Sequence, residues 1–241
     1  MRGRKMYMTL RMIKSIMIVC IAALSSPAHA SAITPDQWAV IKDGGIVKQL
    51  ESVKGTEVKE GVAIGIVDAP PQQVWTVIHE NNDFVHFMPR MLESILVNPD
   101  AIDRAKALKF DYNTGDPKEL IQFLKKHRVD TMTGTTGYFF SLLNVPWPAT
   151  NRWYIIKLDD FVTSGRWYQH WSLVLGNLKT NDGSWELVPL DNNRTLVTYT
   201  VFSDPGGAIP DWIINIGTKQ TLPGVIEAVR KRVKEEFGKK Q

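Results

Sequence analysis

The sequence has almost no cysteine, one residue in 241, and that residue, Cys20, lies in the N-terminal segment. A basic stretch holding Arg2, Arg4, Lys5, Arg11 and Lys14 is followed by an apolar run over residues 16–24 and then by Ala28-His29-Ala30, whose alanines form an AxA cleavage signal. The pattern predicts a secretory signal peptide cut after Ala30, since the apolar run is about half of the ~20 residues that cross a bilayer. Met17-Ile18-Val19 places no small residue ahead of Cys20, so lipidation is not expected. Cleavage would leave residues 31–241 with no cysteine, which excludes disulfides, thiolate nucleophiles and cysteine-bound zinc or iron-sulfur centres. An exported chain of this kind suits a bacterial periplasm, and about 210 residues can bury a core large enough to stand without staples.

Net charge is also scarce. The formal charge is +4, but the first thirty residues carry five of the 29 Lys and Arg and no acid; without them 24 basic residues face 25 acidic ones, about −1. No positive field of the kind that drives non-specific nucleic-acid binding remains. The common catalytic templates are missing too: there is no GxSxG elbow, HExxH helix, Walker A loop or GxGxxG turn. Four histidines lie beyond the leader, His79, His86, His127 and His170, and none is spaced as a metal pair, so no metal or cofactor is expected and each is read as a surface or rim residue. Asp159-Asp160 is the one carboxylate pair near a strand end; adjacent strand positions face opposite ways, and the pair reads as the cap of a solvated turn. With no repeat, low-complexity tract or linker, the composition (44% hydrophobic, 22% charged) fits a single domain over residues 31–241 and a monomer.

What is present is a pattern of strands closed by helix. Thr34-Pro35-Asp36-Gln37 is a helix-start signature. Strands are predicted at 46–53 and 57–68, a helix from Pro71 to about Asn81, a short helical turn near Phe84, and a strand at 91–97. Residues 99–130 read as a helical insertion with helices at 101–110 and 117–128. From Gly137 onward an antiparallel meander follows, with strands at 138–143, 153–161, 165–175, 184–190 and 194–202, and turn signals at Asn181-Asp182-Gly183 and Asp191-Asn192-Asn193. After Asp204-Pro205-Gly206-Gly207 the period changes to about 3.6, predicting a long C-terminal amphipathic helix, kinked near Pro223-Gly224. All eight Trp lie beyond the leader, five of them within 147–185, more aromatic bulk than a sheet under one helix needs as filling, which makes a ligand cavity credible.

Three stretches carry a resemblance. Lys59-Glu60-Gly61 through Ile66-Val67-Asp68-Ala69-Pro70 with Val74-Trp75, then Val145-Pro146-Trp147-Pro148-Ala149-Thr150-Asn151-Arg152-Trp153, and then Tyr199 through Asp204-Pro205-Gly206-Gly207-Ala208-Ile209-Pro210-Asp211-Trp212 resemble the START family of lipid-transfer domains, within the Bet v 1-like or polyketide-cyclase helix-grip superfamily. The second stretch is similar to the family's PWPxxxRD motif, with Trp153 standing where Asp is usual; any role of that acid is not transferred. The resemblance covers roughly residues 45–236, and the insertion at 99–130 departs from the compact pattern at what would be the cavity mouth.

The resemblance implies an α+β helix-grip fold, a curved antiparallel sheet wrapped around a long C-terminal helix with a hydrophobic cavity between them. It implies a lipid-binding or lipid-transfer protein that holds one sterol, hopanoid, phospholipid or fatty-acid-like molecule, without cofactor and with transient membrane contact. Strand alternation and helix face select Phe84, Phe87, Met88, Tyr138, Phe140 and Trp167 for the lining, together with Trp171, Tyr199, Trp212 and Ile216. Arg152 either joins that lining or pairs with Asp159 or Asp160. Pro146, Trp147 and Pro148 with Gly206 and Gly207 are the gate candidates. The alternative is a cyclase, dehydratase or hydrolase acting on an aromatic or polyketide-like compound, with His86, His170, Tyr138 or Arg152 as the acid or base.

Overall fold

The computed structural model describes residues 33–207 and 221–238. The expected leader and the lining candidates Trp212 and Ile216 lie outside them. Eight strands form one curved antiparallel sheet: β1 (Val47–Ser52), β2 (Lys59–Val67), β3 (Met91–Val97), β4 (Thr136–Leu143), β5 (Arg152–Thr163), β6 (Arg166–Gly176), β7 (Thr180–Asp191) and β8 (Arg194–Asp204). Their order is β1-β2-β8-β7-β6-β5-β4-β3. After the β1-β2 hairpin the chain crosses to the far edge through α2 (Pro71–Ile78) and α3 (Phe84–Phe87), then returns strand by strand until β8 pairs with β2. The C-terminal helix, α6 (Leu222–Phe237), lies on the inner face of the sheet, so the α+β helix-grip arrangement is present.

Small residues on β2 allow this. A side chain at Gly61 would meet Leu222 of α6 at 3.2 Å, and one at Gly65 would meet Arg230 at 3.1 Å and Ile226 at 3.3 Å. With only Ala63 between them, the strand gives the helix room to pack Leu222, Val225, Ile226, Val229 and Val233 against Val67, Leu187 and Val197. Arg230 then fixes the helix, its guanidinium donating to the carbonyls of Ile66 (2.7 Å) and Gly44 (2.9 Å).

The outer face has cores of its own. α1 (Pro35–Lys42), capped by the reciprocal Thr34–Gln37 box, covers Val47, Val62, Ile64 and Ile66 with Ile41. Residues 99–130 carry α4 (Ile102–Lys106) and α5 (Lys118–Lys125), which bury Ile102, Ala105, Leu120 and Leu124 against Ile95, Phe140, Trp153 and Ile155. The insertion therefore roofs the outside of the sheet and does not reshape a cavity mouth. Trp153, fully buried, sits under Phe110 and Tyr112 and donates its indole N–H to the carbonyl of Thr114 (3.0 Å).

Register overturns one expectation and exchanges a pair of faces. Asn181-Asp182-Gly183 is not a turn; it lies within β7, and the β6-β7 connection falls at residues 177–179. A bulge between β5 and β6, at Ile155/Ile156, pairs Ile156 with Leu173 but Ile155 with Leu175, so Leu173 and Leu175 face opposite sides although they are two residues apart.

α6 is also held to the α2–α3 turn by charge. Arg232 contacts Glu80 (2.7 Å), Asp83 (3.3 Å) and Glu236 (2.6 Å), and its guanidinium lies over the Phe87 ring at 5.4 Å. Burial and the neighbouring Glu236 raise the Glu80 carboxyl to about 7 despite Arg232. A carboxyl whose native value exceeds its unfolded one holds extra protons in the folded state, so its contribution is present below the ordinary carboxylate range and is lost as pH rises through 7. Thermal melts from pH 5 to pH 8 are expected to show stability falling with pH, and Glu80→Gln is expected to flatten that dependence; an unchanged slope in the variant would assign it to other groups.

Candidate functional site

The inner face is apolar over most of its area. β3 to β8 contribute Leu96, Phe139, Ile156, Leu158, Trp171, Trp185, Leu187 and Val197, and α2 and α3 add Val74, Val77, Ile78, Phe84 and Met88. Phe84 meets Phe139 edge to face at 5.4 Å, and Phe87 packs on Phe84 at the same distance. Trp167 and Tyr199 pack against this cluster while remaining half-buried. Of the candidate lining residues, Phe84, Phe87, Met88, Trp167, Trp171 and Tyr199 therefore share one surface.

Tyr138 and Phe140 do not. Both lie with the outer cluster beneath the insertion, because the inner-facing residues of β4 are Phe139 and Ser141, one position out of step with the expectation. Arg152 stands at the rim and pairs with neither aspartate. Its guanidinium donates to the carbonyls of Pro205 (2.9 Å) and Thr150 (2.7 Å), to the Thr150 hydroxyl (3.0 Å) and to the carbonyl of Gly206 (3.4 Å). It thus ties the loop carrying Pro146, Trp147 and Pro148 to the turn after β8. In that turn Gly206 (φ 66°) and Gly207 (φ 70°) take left-handed conformations that favour glycine. Trp147 is 87% exposed.

At the end of the inner face nearer Arg152 the wall becomes polar. Ser141 and Tyr154 face each other across β4 and β5, and the Tyr154 phenol is also beside Asn181 of β7. Trp171 donates its indole N–H to Oδ1 of Asn181 (3.3 Å), and Tyr199 stacks obliquely on Trp171 (5.5 Å) and Trp185 (4.6 Å). Desolvation raises both phenols, Tyr199 very strongly and with the neighbouring Tyr154 adding to it. Both residues are half-buried.

Gly183 is what lets Trp171 lie there. A Cβ at that position would come within 2.4 Å of the Trp171 ring and 2.3 Å of the Thr200 carbonyl oxygen.

The opposite end is closed by a network that the histidine spacing did not reveal. His79 contacts the Trp75 carbonyl through Nδ1 (2.8 Å) and Asp160 through Nε2 (2.8 Å), and buried Gln169 donates to the other oxygen of Asp160 (2.8 Å). Asp160 therefore points inward and Asp159 outward, to Thr136 and Lys157. The pair does not cap a solvated turn; both residues lie within β5. Burial of Asp160, unreadable from its exposed-looking sequence neighbourhood, is the missed signal. Of the remaining candidates, His86 is exposed and His170 pairs with Asp182 on the outer face (3.1 Å). Among the described residues no cluster of three His, Cys, Asp or Glu could hold a metal ion. An open groove of about 940 Å³ lies outside the sheet between α1 and the β7-β8 turn, lined by Trp38, Lys42, Leu190 and Arg194, apart from this wall.

Residues 67–230 match the family model described as polyketide cyclase / dehydrase and lipid transport. The chain belongs to this family. Its fold is shared with the STAR-related lipid transfer protein of Xanthomonas axonopodis (22% identity, 79% of this chain and 94% of that one, TM-score 0.58). Human StAR-related lipid transfer protein 5 has it too (10% identity, 80% and 83%, TM-score 0.56), as does the Zhui aromatase/cyclase of Streptomyces sp. R1128 (11% identity, 74% and 95%, TM-score 0.52). An uncharacterised protein of Pseudomonas aeruginosa is 29% identical over 119 residues, which span 41% of this chain and 56% of that protein.

Since the indole and the Thr200 carbonyl leave no room for a methyl group, Gly183→Ala is expected to destabilise the protein by about 3 kcal/mol, the upper range for overpacking. Denaturant unfolding followed by tryptophan fluorescence would measure this, and a variant as stable as the wild type would show that the ring is free to move.

Proposed function

We propose that the protein is a carrier that encloses one hydrophobic molecule in the space before Tyr154 and Tyr199 and releases it unchanged, acting as an exported periplasmic monomer. The observation that supports this reading is an apolar inner wall that carries two half-buried tyrosines whose phenols are raised by desolvation. Removing ~400 Å² of apolar ligand surface from water would be worth about 10 kcal/mol before ordering costs, enough for firm binding without any chemical step. The family's description includes lipid transport, and two of the structural relatives carry lipid transfer in their names. Trp147, held on a rim loop with its indole in solvent, has the amphipathic character that favours a membrane interface and supports transient membrane contact.

The enzymatic alternative draws on the same family description and on the aromatase/cyclase. It requires an acid or base facing the enclosed space. His86, His170 and Tyr138 lie off the inner face, and Arg152 is committed to carbonyls at the rim. The phenols that face inward are raised well above the range in which they would act as bases at neutral pH, and the inward Asp160 is tied to His79 and Gln169 at the opposite end. These placements favour carriage.

Native mass spectrometry of protein purified without detergent from its own host, followed by solvent extraction, is expected to find one apolar molecule per chain. Protein that is empty and takes up no lipid from vesicles would overturn the proposal. Replacing the exposed indole, Trp147→Ala, is expected to leave the melting temperature unchanged while slowing transfer between phospholipid vesicles several-fold; undiminished transfer would remove Trp147 from membrane contact.

A further inference from the structure

The turn between α2 and α3 is fastened on three sides. Its centre is bound to β3 and to Val129 beside it by uncharged groups. Asn82 accepts from the backbone N–H of Leu96 (2.8 Å) and donates to the carbonyl of Val129 (2.8 Å). The Ser94 hydroxyl donates to the Asn82 carbonyl (3.0 Å) and accepts from the N–H of Val85 (2.9 Å). The other two attachments start from adjacent residues, His79 and Glu80, and run to β5 and β6 and to α6.

At His79 both ring nitrogens are engaged. Nδ1 lies 2.8 Å from the Trp75 carbonyl, which only accepts, so Nδ1 carries a hydrogen. Nε2 lies 2.8 Å from Oδ2 of Asp160, and an ionised carboxylate also only accepts. A neutral histidine would therefore set lone pair against lone pair at Asp160, and moving its hydrogen to Nε2 would do the same at Trp75. The amide nitrogen of Gln169 donates to Oδ1 of Asp160 (2.8 Å) and stands 3.3 Å from Nε2, but as a donor there it would leave the approach of Oδ2 without a hydrogen. The contacts coexist when the His79–Asp160 pair holds one further proton, on either partner. The groups around the pair are uncharged, Gln169 from β6 and the Trp75 ring from α2 at 4.3 Å, while Asp159 of β5 points outward to Lys157.

Glu80 repeats the arrangement with a second acid. Its carboxyl is hydrogen-bonded to that of Glu236 on α6, a contact that requires a proton on one of the two. Arg232 touches both, at 2.7 and 2.6 Å, and Asp83 of the turn at 3.3 Å, so one cation is shared by three acids. Burial and Glu236 hold the Glu80 carboxyl at about 7, and this proton too is lost as pH rises through neutrality.

We propose that the α2–α3 turn is a proton-held clasp: one proton shared by His79 and Asp160 fastens it to the sheet, a second shared by Glu80 and Glu236 fastens it to the C-terminal helix, and their loss loosens it about the Asn82 anchor. Both protons are bound in the closed form and released on opening, so the two act in one direction, closed in acid and looser in base. What loosens is part of the inner wall, since α3 and the residue after it carry Phe84, Phe87 and Met88 into the core.

The test is amide hydrogen exchange of the full protein from pH 6 to pH 9, corrected for the intrinsic pH dependence of exchange. The N–H groups of His79, Glu80 and Asp83, bonded to carbonyls within α2 and the turn, are expected to lose about tenfold in protection over this range. Those of Leu96 and Val129, which hold the Asn82 anchor, are expected to keep theirs. Asp160→Asn supplies an amide that donates to neutral His79 and accepts from Gln169; Glu80→Gln supplies one that donates to Glu236 and accepts from Arg232. Each puts a permanent N–H in place of a titrating proton. Either variant alone is expected to lessen the pH dependence at the turn, and the two together to remove it with protection at pH 6 retained. Protection at the turn that does not change with pH in the wild type would overturn the clasp. Equal loss at Leu96 and Val129 would overturn it in favour of loosening of the whole domain, and an undiminished pH dependence in both single variants would show that the protons lie elsewhere and overturn it as well.

Discussion

Everything else in the structure follows from how closely α6 can approach β2. Side chains larger than hydrogen at Gly61 and Gly65 would strike Leu222, Ile226 and Arg230, so the strand presents backbone and one methyl group to the helix. The helix consequently leans on the β2 side of the sheet and on α2 and α3, where Arg230 and Arg232 fasten it. Its apolar stripe is spent there. The inner face of β4 to β7 carries large side chains of its own, Phe139, Ile156, Trp171 and Trp185 among them. Among the described residues, the helix therefore lies off-centre on the sheet.

Much of this was legible in the residues. The capping box at Thr34, the strand meander and the amphipathic stripe of α6 are local signals, and local signals survive folding. The face of each strand was less secure. Because strand side chains alternate, an error of one position exchanges the two faces, and here both faces are apolar: Phe139 belongs to the inner core and Phe140 to the outer one. Hydrophobicity alone could not choose between them. The bulge at β5-β6 added a second exchange between Leu173 and Leu175.

The polar residues of the site were harder still. Asn181 and Gly183 look like turn formers, and in this strand they do different work: the amide turns to meet the indole of Trp171 and the glycine makes room for its ring. Ser141 and Tyr154 lie in strands that read as ordinary core, and only their placement opposite each other gives them meaning. Arg152 was legible as unusual but not as a strap between a rim loop and the turn beyond β8. Charge is thereby kept at the two ends of the inner face, with neutral groups between.

The insertion and the unusual tryptophan of the Arg152-Trp153 pair explain each other. An indole at Trp153 faces outward from the sheet, and without a cover it would leave a large ring and its N–H at the surface. Phe110 and Tyr112 supply that cover, and Thr114 supplies the acceptor. Conversely, Asn177 binds the Trp153 backbone with one end of its amide and the carbonyls of Thr114 and Asn151 with the other. Roof and sheet thus share a single keystone, and shortening the chain between β3 and β4 to a simple hairpin would also require a smaller, water-tolerant residue at position 153. Trp153 and the two-helix segment between β3 and β4 thus form one structural unit.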